Sequence, residues 1–298
     1  MQHLRISAQA HMRLVAPSRA VSAEELDQVE HALAARGFSV STGAHVRDRW
    51  HSELDLAGVD QDRAQDLIEA LRDPDVDVVV ALRGGYGAMR ILPWLEAAAD
   101  LSFKPILGFS DVTALHHWAA HRGWWSLHGP LGLTSRENES ADRFWRLMVE
   151  GAGTVSDNPL TSVGESPAKP LRAPWHGGNL ALVAALAGTP YQPAWDGAVL
   201  YLEEVHEAPY RIDRMLQQLA LSGILSKIRG LVFGCAVLGD EDLEPVVREL
   251  LEPLGEQYGI PVWTGLESGH REPMWTIPLG WPLVIDPDGR VRVGEAKD

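Results

Sequence analysis

The feature that most narrows the fold is Val76-Asp77-Val78-Val79-Val80-Ala81-Leu82, a nearly continuous apolar run followed by the glycine-rich Arg83-Gly84-Gly85-Tyr86-Gly87. So short a run, rich in β-branched residues, reads as a strand, and its lack of polar alternation requires cover on both faces. Helices on either side of a parallel sheet supply that cover. A helix is signalled ahead of the run by Gln61 to Leu71. Behind it, Lys104-Pro105-Ile106-Leu107-Gly108-Phe109 reads as a short buried strand and Ala114 to His121 as a helix. Nearer the start, Leu14-Val15-Ala16, a Pro17-Ser18 turn and a helix from Glu24 to Arg36, apolar at Leu26, Val29 and Leu33, make a further β-α unit. Strands alternating with helices predict an α/β fold with a parallel sheet. Periodicity fades across residues 151–174, where Pro, Ser, Thr and Gly accumulate, so residues 12–150 are expected to form one domain and 151–174 a linker. Residues 175–298 read as a mixed α/β domain rich in strands. It has helices at Asn179–Leu186 and Arg211–Leu221, strands at Ala198–Leu202 and Gly230–Val237, and strand and turn signals from Trp275 to Val293.

The chain of 298 residues is long enough to bury two cores, and its 45% apolar content is that of an ordinary globular protein. A formal net charge of -15 with no basic run argues against nucleic acid, whose phosphates are engaged by clustered Lys and Arg. One cysteine, Cys235, excludes a disulfide within the chain, and its strand-like surroundings place it in a core. The first eleven residues lack a signal-peptide core, and no apolar run approaches membrane-spanning length, so a cytoplasmic protein without membrane contact is expected.

Chemistry is suggested at four places. Ser110 lies at the joint between the Lys104–Phe109 strand and the next helix, where a hydroxyl is lifted clear of the sheet and helix N–H groups can face a developing oxyanion. Ser110 is equally a candidate helix cap. Arg83-Gly84-Gly85-Tyr86-Gly87 follows the buried strand, at the sheet end where α/β proteins bind ligands, and also fits a simple tight turn. Tyr201-Leu202-Glu203-Glu204-Val205-His206-Glu207 sets acidic groups at a strand end, as a site or as a solvated loop. His270 stands in the turn Gly269-His270-Arg271-Glu272-Pro273, a base or a satisfied structural group. Together Ser110, Glu203 and His270 supply a nucleophile, an orienting carboxylate and a base.

These segments, with His128-Gly129-Pro130, Gly177-Gly178-Asn179-Leu180 and Glu207-Ala208-Pro209-Tyr210-Arg211-Ile212-Asp213-Arg214-Met215, occur in an order that resembles the LD-carboxypeptidase family of serine peptidases. The resemblance spans the chain from about Leu14 to near its end, with residues 1–11 outside it. It implies a Rossmann-like N-terminal domain carrying Ser110 and a C-terminal domain carrying Glu203 and His270, with the active site between them. It further implies an oxyanion hole from the N–H groups of Asp111 and Gly85, and substrate contacts at Arg83, Tyr86, Asn179 and Glu207. The substrate implied is a murein tetrapeptide that loses its terminal D-alanine, and the assembly a homodimer. No metal or organic cofactor is called for. Within the family, cleavage of an aminoacyl-nucleotide antibiotic amide, as in microcin immunity, is the alternative.

Two readings of other classes stand beside this one. His117 and His121, one helical turn apart, have the spacing of a zinc pair but lack the usual glutamate. A non-catalytic ligand-binding protein is compatible with any such fold. Because side chains alternate along a strand, Glu203 and Glu204 cannot both face the site, and Glu203 is the expected partner of His270, with Glu204 dispensable. His270 is expected to titrate near 6.5. The 11 tryptophans, Trp124 and Trp125 among them, are read mainly as core, with any surplus apolar surface available to a dimer contact.

Overall fold

The computed structural model describes residues 4, 6–130, 148 and 158–294. The strands are β1 (His11–Val15), β2 (Ser39–Thr42), β3 (Val78–Ala81), β4 (Ile106–Gly108), β5 (Ser126–His128), β6 (Thr161–Val163), β7 (Leu171–Asn179), β8 (Val199–Val205), β9 (Gly230–Leu238), β10 (Glu241–Asp242), β11 (Val262–Thr264), β12 (Ile277–Leu279), β13 (Pro282–Ile285) and β14 (Val291–Val293). The helices are α1 (Ala23–Ala34), α2 (Asp60–Arg72), α3 (Ala88–Ala97), α4 (Thr113–His121), α5 (Leu180–Leu186), α6 (Pro209–Leu221) and α7 (Glu244–Tyr258).

The first sheet runs β12-β5-β4-β3-β1-β2, with every pair parallel except β5 with β12. The apolar run divides as its pleat requires: Val78 and Val80 enter one core, Val79 and Ala81 the core on the opposite face. Each helix on this sheet offers a matching stripe; α1 is opened by a capping box at Ser22 and Glu25 and buries Leu26, Val29 and Leu33.

The second sheet runs β14-β13-β7-β8-β9-β11-β6, with β10 paired to β9. Its centre, β7 to β11, is parallel, and its flanks are antiparallel. It too is covered on both sides: Leu200 and Leu202 enter one core, Val199 and Tyr201 the other. Within the stretch 151–174, residues 161–163 form β6 and residues 171–174 begin β7, so a glycine- and proline-rich composition coexists with sheet pairing there.

Two contacts bind the sheets together. β12, from near the end of the chain, pairs with β5 of the first sheet, Ile277 opposite His128. The Thr113 hydroxyl, at the start of α4, accepts the backbone N–H of Asn179 at 3.0 Å. Both sheets thereby turn the carboxyl ends of their parallel strands toward one region, where open α/β sheets place their sites. Trp124 and Trp125 belong to the interior: Trp125 is buried, and Trp124 packs edge-on to Trp118 and Phe103.

Candidate active site

The carboxyl end of β4 delivers Ser110 in a left-handed conformation, φ 61°. That region is costly for a residue with a side chain, and it persists only where the surroundings impose it. Ser110 opens a 3-10 turn, Ser110–Val112, that runs into α4. It does not cap that helix, whose N-cap position is Val112 with no side-chain bond. The capping role open to it from sequence is therefore not the one it plays. Gly84 lies against this turn so closely that a Cβ there would sit 2.8 Å from Cβ of Ser110 and 3.2 Å from the Asp111 nitrogen.

The side chain of Asp111 locks the serine turn to the glycine turn. Buried, it accepts the Ser18 hydroxyl at 2.6 Å and the N–H of Ala88, first residue of α3, at 2.8 Å. Burial raises its pKa, while these two donors and the charge of Arg63 oppose the rise. Arg63 is itself buried and donates to the carbonyls of Pro17 and Gly87, so three loops at the sheet end share one polar joint.

From the second sheet, β8 brings Glu203 and Glu204. The strand is irregular between Leu202 and Glu204, the two side chains reach different partners, and both carboxyls are buried. Neither is the solvated group that their composition also allowed. Glu203 is completely enclosed, and its Oε2 accepts Nδ1–H of His270 at 2.7 Å. His270 follows Gly269, whose φ of 127° and contact with the Cys235 sulfur exclude a side chain. The His270 ring lies 5.2 Å from that of Phe109, the residue immediately before Ser110. Burial lowers the pKa of His270, but the hydrogen bond and charge of Glu203 outweigh it, and the net direction is upward. The titration expected at the ordinary value is thus displaced above it.

Arg83 and Tyr86 stand exposed on the glycine turn, Arg83 paired to Glu25 at 3.2 Å. Asn179 is buried, and its side-chain amide donates to Glu204 at 3.1 Å. Glu207 accepts from Arg211 at 3.2 Å across the start of α6.

Two family models match the chain in succession. The model for the LD-carboxypeptidase N-terminal domain matches residues 12–129, and that for the LD-carboxypeptidase C-terminal domain matches residues 172–285. The chain belongs to the LD-carboxypeptidase family. A murein tetrapeptide carboxypeptidase of Pseudomonas aeruginosa is 31% identical over 293 residues, covering 92% of both chains. A chain from Streptomyces coelicolor is 39% identical over 296 residues, covering 95% of this chain and 93% of its own. The muramoyltetrapeptide carboxypeptidase of Oxalobacter formigenes superposes with a TM-score of 0.77 at 30% identity, over 97% of this chain and all of that one. An MccF-like protein from Bacillus anthracis reaches 0.85 at 22% identity over 98% of this chain and 99% of that one, a likeness of fold.

Three further residues of this LD-carboxypeptidase have surroundings that sequence did not reveal. Glu204 holds the neighbouring loop: Oε1 accepts Asn179 and the N–H of Val205, and Oε2 the N–H of Ala181 in the first turn of α5. Burial pushes its carboxyl up to about 7, against those donors and with the charge of Glu203 adding to the rise. Cys235, expected in a core, is half-buried beside Gly269; burial and the charge of Glu203 push its thiol up to about 12, so it remains protonated. Arg63 carried no signal, being one helical arginine among many. The zinc reading fails on placement: His117 is buried, His121 is exposed, and no third ligand joins them among the described residues. No helix among the described residues is long and apolar enough to cross a membrane.

Proposed function

We propose that the chain is a serine LD-carboxypeptidase that releases the terminal D-alanine of murein tetrapeptides, with Ser110, His270 and Glu203 as its triad. The observation that carries the triad is the Glu203–His270 pair, whose imidazole packs on Phe109, the residue before a left-handed Ser110. Neutral Nε2 of His270 takes the Ser110 proton as Oγ attacks the carbonyl between the L- and D-configured residues. Glu203 holds Nδ1–H and stabilises the imidazolium. The N–H groups of Asp111 and Gly85 receive the oxyanion, kept adjacent by the Asp111 side-chain joint. His270 then returns the proton to the departing D-alanine nitrogen, and water, deprotonated by the same imidazole, frees the acyl group. Arg83 and Tyr86 at the rim contact the peptide, while Asn179 and Glu207 act through Glu204 and Arg211. Family resemblance further supports a cytoplasmic homodimer, which light scattering would refute by returning the monomer mass of 32.7 kDa at micromolar concentration.

The direct test is turnover of defined murein tetrapeptides read by mass spectrometry, with an aminoacyl-nucleotide amide as a second substrate. Release of D-alanine by the wild type and not by Ser110→Ala supports the proposal. Hydrolysis of the nucleotide amide alone would reassign the substrate, and no Ser110-dependent hydrolysis of either would overturn the serine mechanism.

A further inference from the structure

Glu203 has two oxygens, and the mechanism uses one. Oε2 is held by His270, whereas Oε1 is buried with no hydrogen-bond partner. Facing it is a second group in the same condition: His128, the last residue of β5, is fully enclosed and neither ring nitrogen has a partner. Its Nε2 lies 4.0 Å from Oε1 of Glu203. That is about 1 Å beyond an N–H···O bond, a gap closed by small side-chain torsions. We propose that His128 is a positioning residue for Glu203, its Nε2–H donating to the carboxylate oxygen that His270 leaves free.

Several observations converge on this assignment. A buried acceptor and a buried donor left unpaired each carry a desolvation penalty, and one bond between them removes both. Two polar atoms on rings beside His128 are committed elsewhere: the Tyr201 hydroxyl donates to Ser268 at 2.9 Å, and Nε2 of His116 bonds the Gly108 carbonyl at 2.9 Å. The Tyr201 ring meets that of His128 edge-on at 5.3 Å and fixes its plane. Burial together with the neighbouring imidazoles His116 and His270 keeps His128 neutral, so it offers one N–H and adds no charge to compete with Glu203 for His270. The position is also tied to the nucleophile, since His128 pairs with Gly108 in the sheet, two residues before Ser110. Ser110 and Glu203 are thereby referenced to one strand end through His128.

The assignment rests on Glu203 being the partner of His270, and the test separates the two. His128→Leu removes the donor at similar volume; His128→Gln restores an N–H near the Nε2 position. The expected result is a fall in kcat of about 10- to 100-fold for His128→Leu with KM within about twofold, and recovery to within about threefold for His128→Gln. In a Glu203→Gln background His128→Leu should then cost nothing further, because its effect passes through the carboxylate. Nitrogen-15 shifts of the wild-type imidazole should report the Nε2–H tautomer, a measurement independent of how the variants fold. A wild-type rate in His128→Leu beside a crippled Glu203→Gln would overturn the role of His128 alone. So would an Nδ1–H tautomer, equal impairment of the Leu and Gln variants, or an undiminished cost in the Glu203→Gln background. A fully active Glu203→Gln would instead remove the triad reading on which His128 depends.

Discussion

The two sides of the site are prepared by different means. On the first sheet the working group is a hydroxyl with no unusual charge, made useful by backbone: a left-handed Ser110, a glycine that nothing larger could replace, and Asp111 tying the loops together. On the second sheet the backbone is shaped too, by Gly269 beside His270, but the main preparation is electrostatic, with two buried carboxyls and a half-buried imidazole. The strained side chain lies on one side and the enclosed carboxylate–imidazole pair on the other, although Asp111 and Arg63 are buried on the first as well. Conformational strain is released by changing one residue, whereas a buried charge network fails through whichever partner is left unpaired.

Substitutions at the two sides should therefore differ in kind. Ser110→Ala is expected to lower turnover by about 10⁴-fold or more with the fold intact. Ser110→Gly should be equally inactive yet raise the unfolding midpoint, since relief of a left-handed side chain is worth about 1 kcal/mol. A destabilised Gly variant would show that Ser110 is not strained and would erase the contrast. Glu203→Gln should cost about 10³-fold in kcat because the imidazole loses its orienting charge, and wild-type turnover there would break the electrostatic half of the comparison. The pH profile sharpens it further. His270 must be neutral to act as base, so kcat/KM should rise with pH through a midpoint above 6.5. Because its folded pKa lies above the unfolded one, its contribution to stability is complete below about 6.5 and is lost as pH climbs through the folded value. A midpoint below 6.5 would mean that burial outweighs Glu203. Glu204→Gln turns an N–H₂ toward N–H donors and should cost about 1–3 kcal/mol in denaturant unfolding while kcat changes little. Cys235→Ser should alter neither rate nor midpoint appreciably, since the thiol is protonated and unassigned in the chemistry.

What could be read from sequence follows the same division. β3 was legible because an unbroken apolar run has only one kind of home, and α1 because its apolar spacing and capping residues agree. The edge strand β2, a polar Ser-Val-Ser-Thr, and the short β6 owe their state to partners distant in sequence and announce nothing locally. Helix α7 was unread because Pro245 and Pro253 punctuate it, although its apolar face packs through Val247, Leu251 and Leu254. At the site, residue types and their order pointed to Ser110, Glu203 and His270, and the pleat rule set Glu203 apart from Glu204. The rule could not say that both faces of β8 are covered, because cover is a property of the second sheet as a whole. For the same reason Glu204 was expected to be dispensable, and the free oxygen of Glu203 and the buried ring of His128 were invisible until brought within reach of each other.

The pairing of β12 with β5 also sets an order of assembly. A ribosome delivers the strand that carries Ser110 and its neighbour β5 long before residues 277–279 exist. Until then the outer rim of β5 offers bare N–H and C=O groups to any passing chain. A product cut short before Ile277 would expose a sticky border, and one cut before His270 would lack the proposed general base as well. The first sheet is thus sealed only after β6 to β11 of the second have been made.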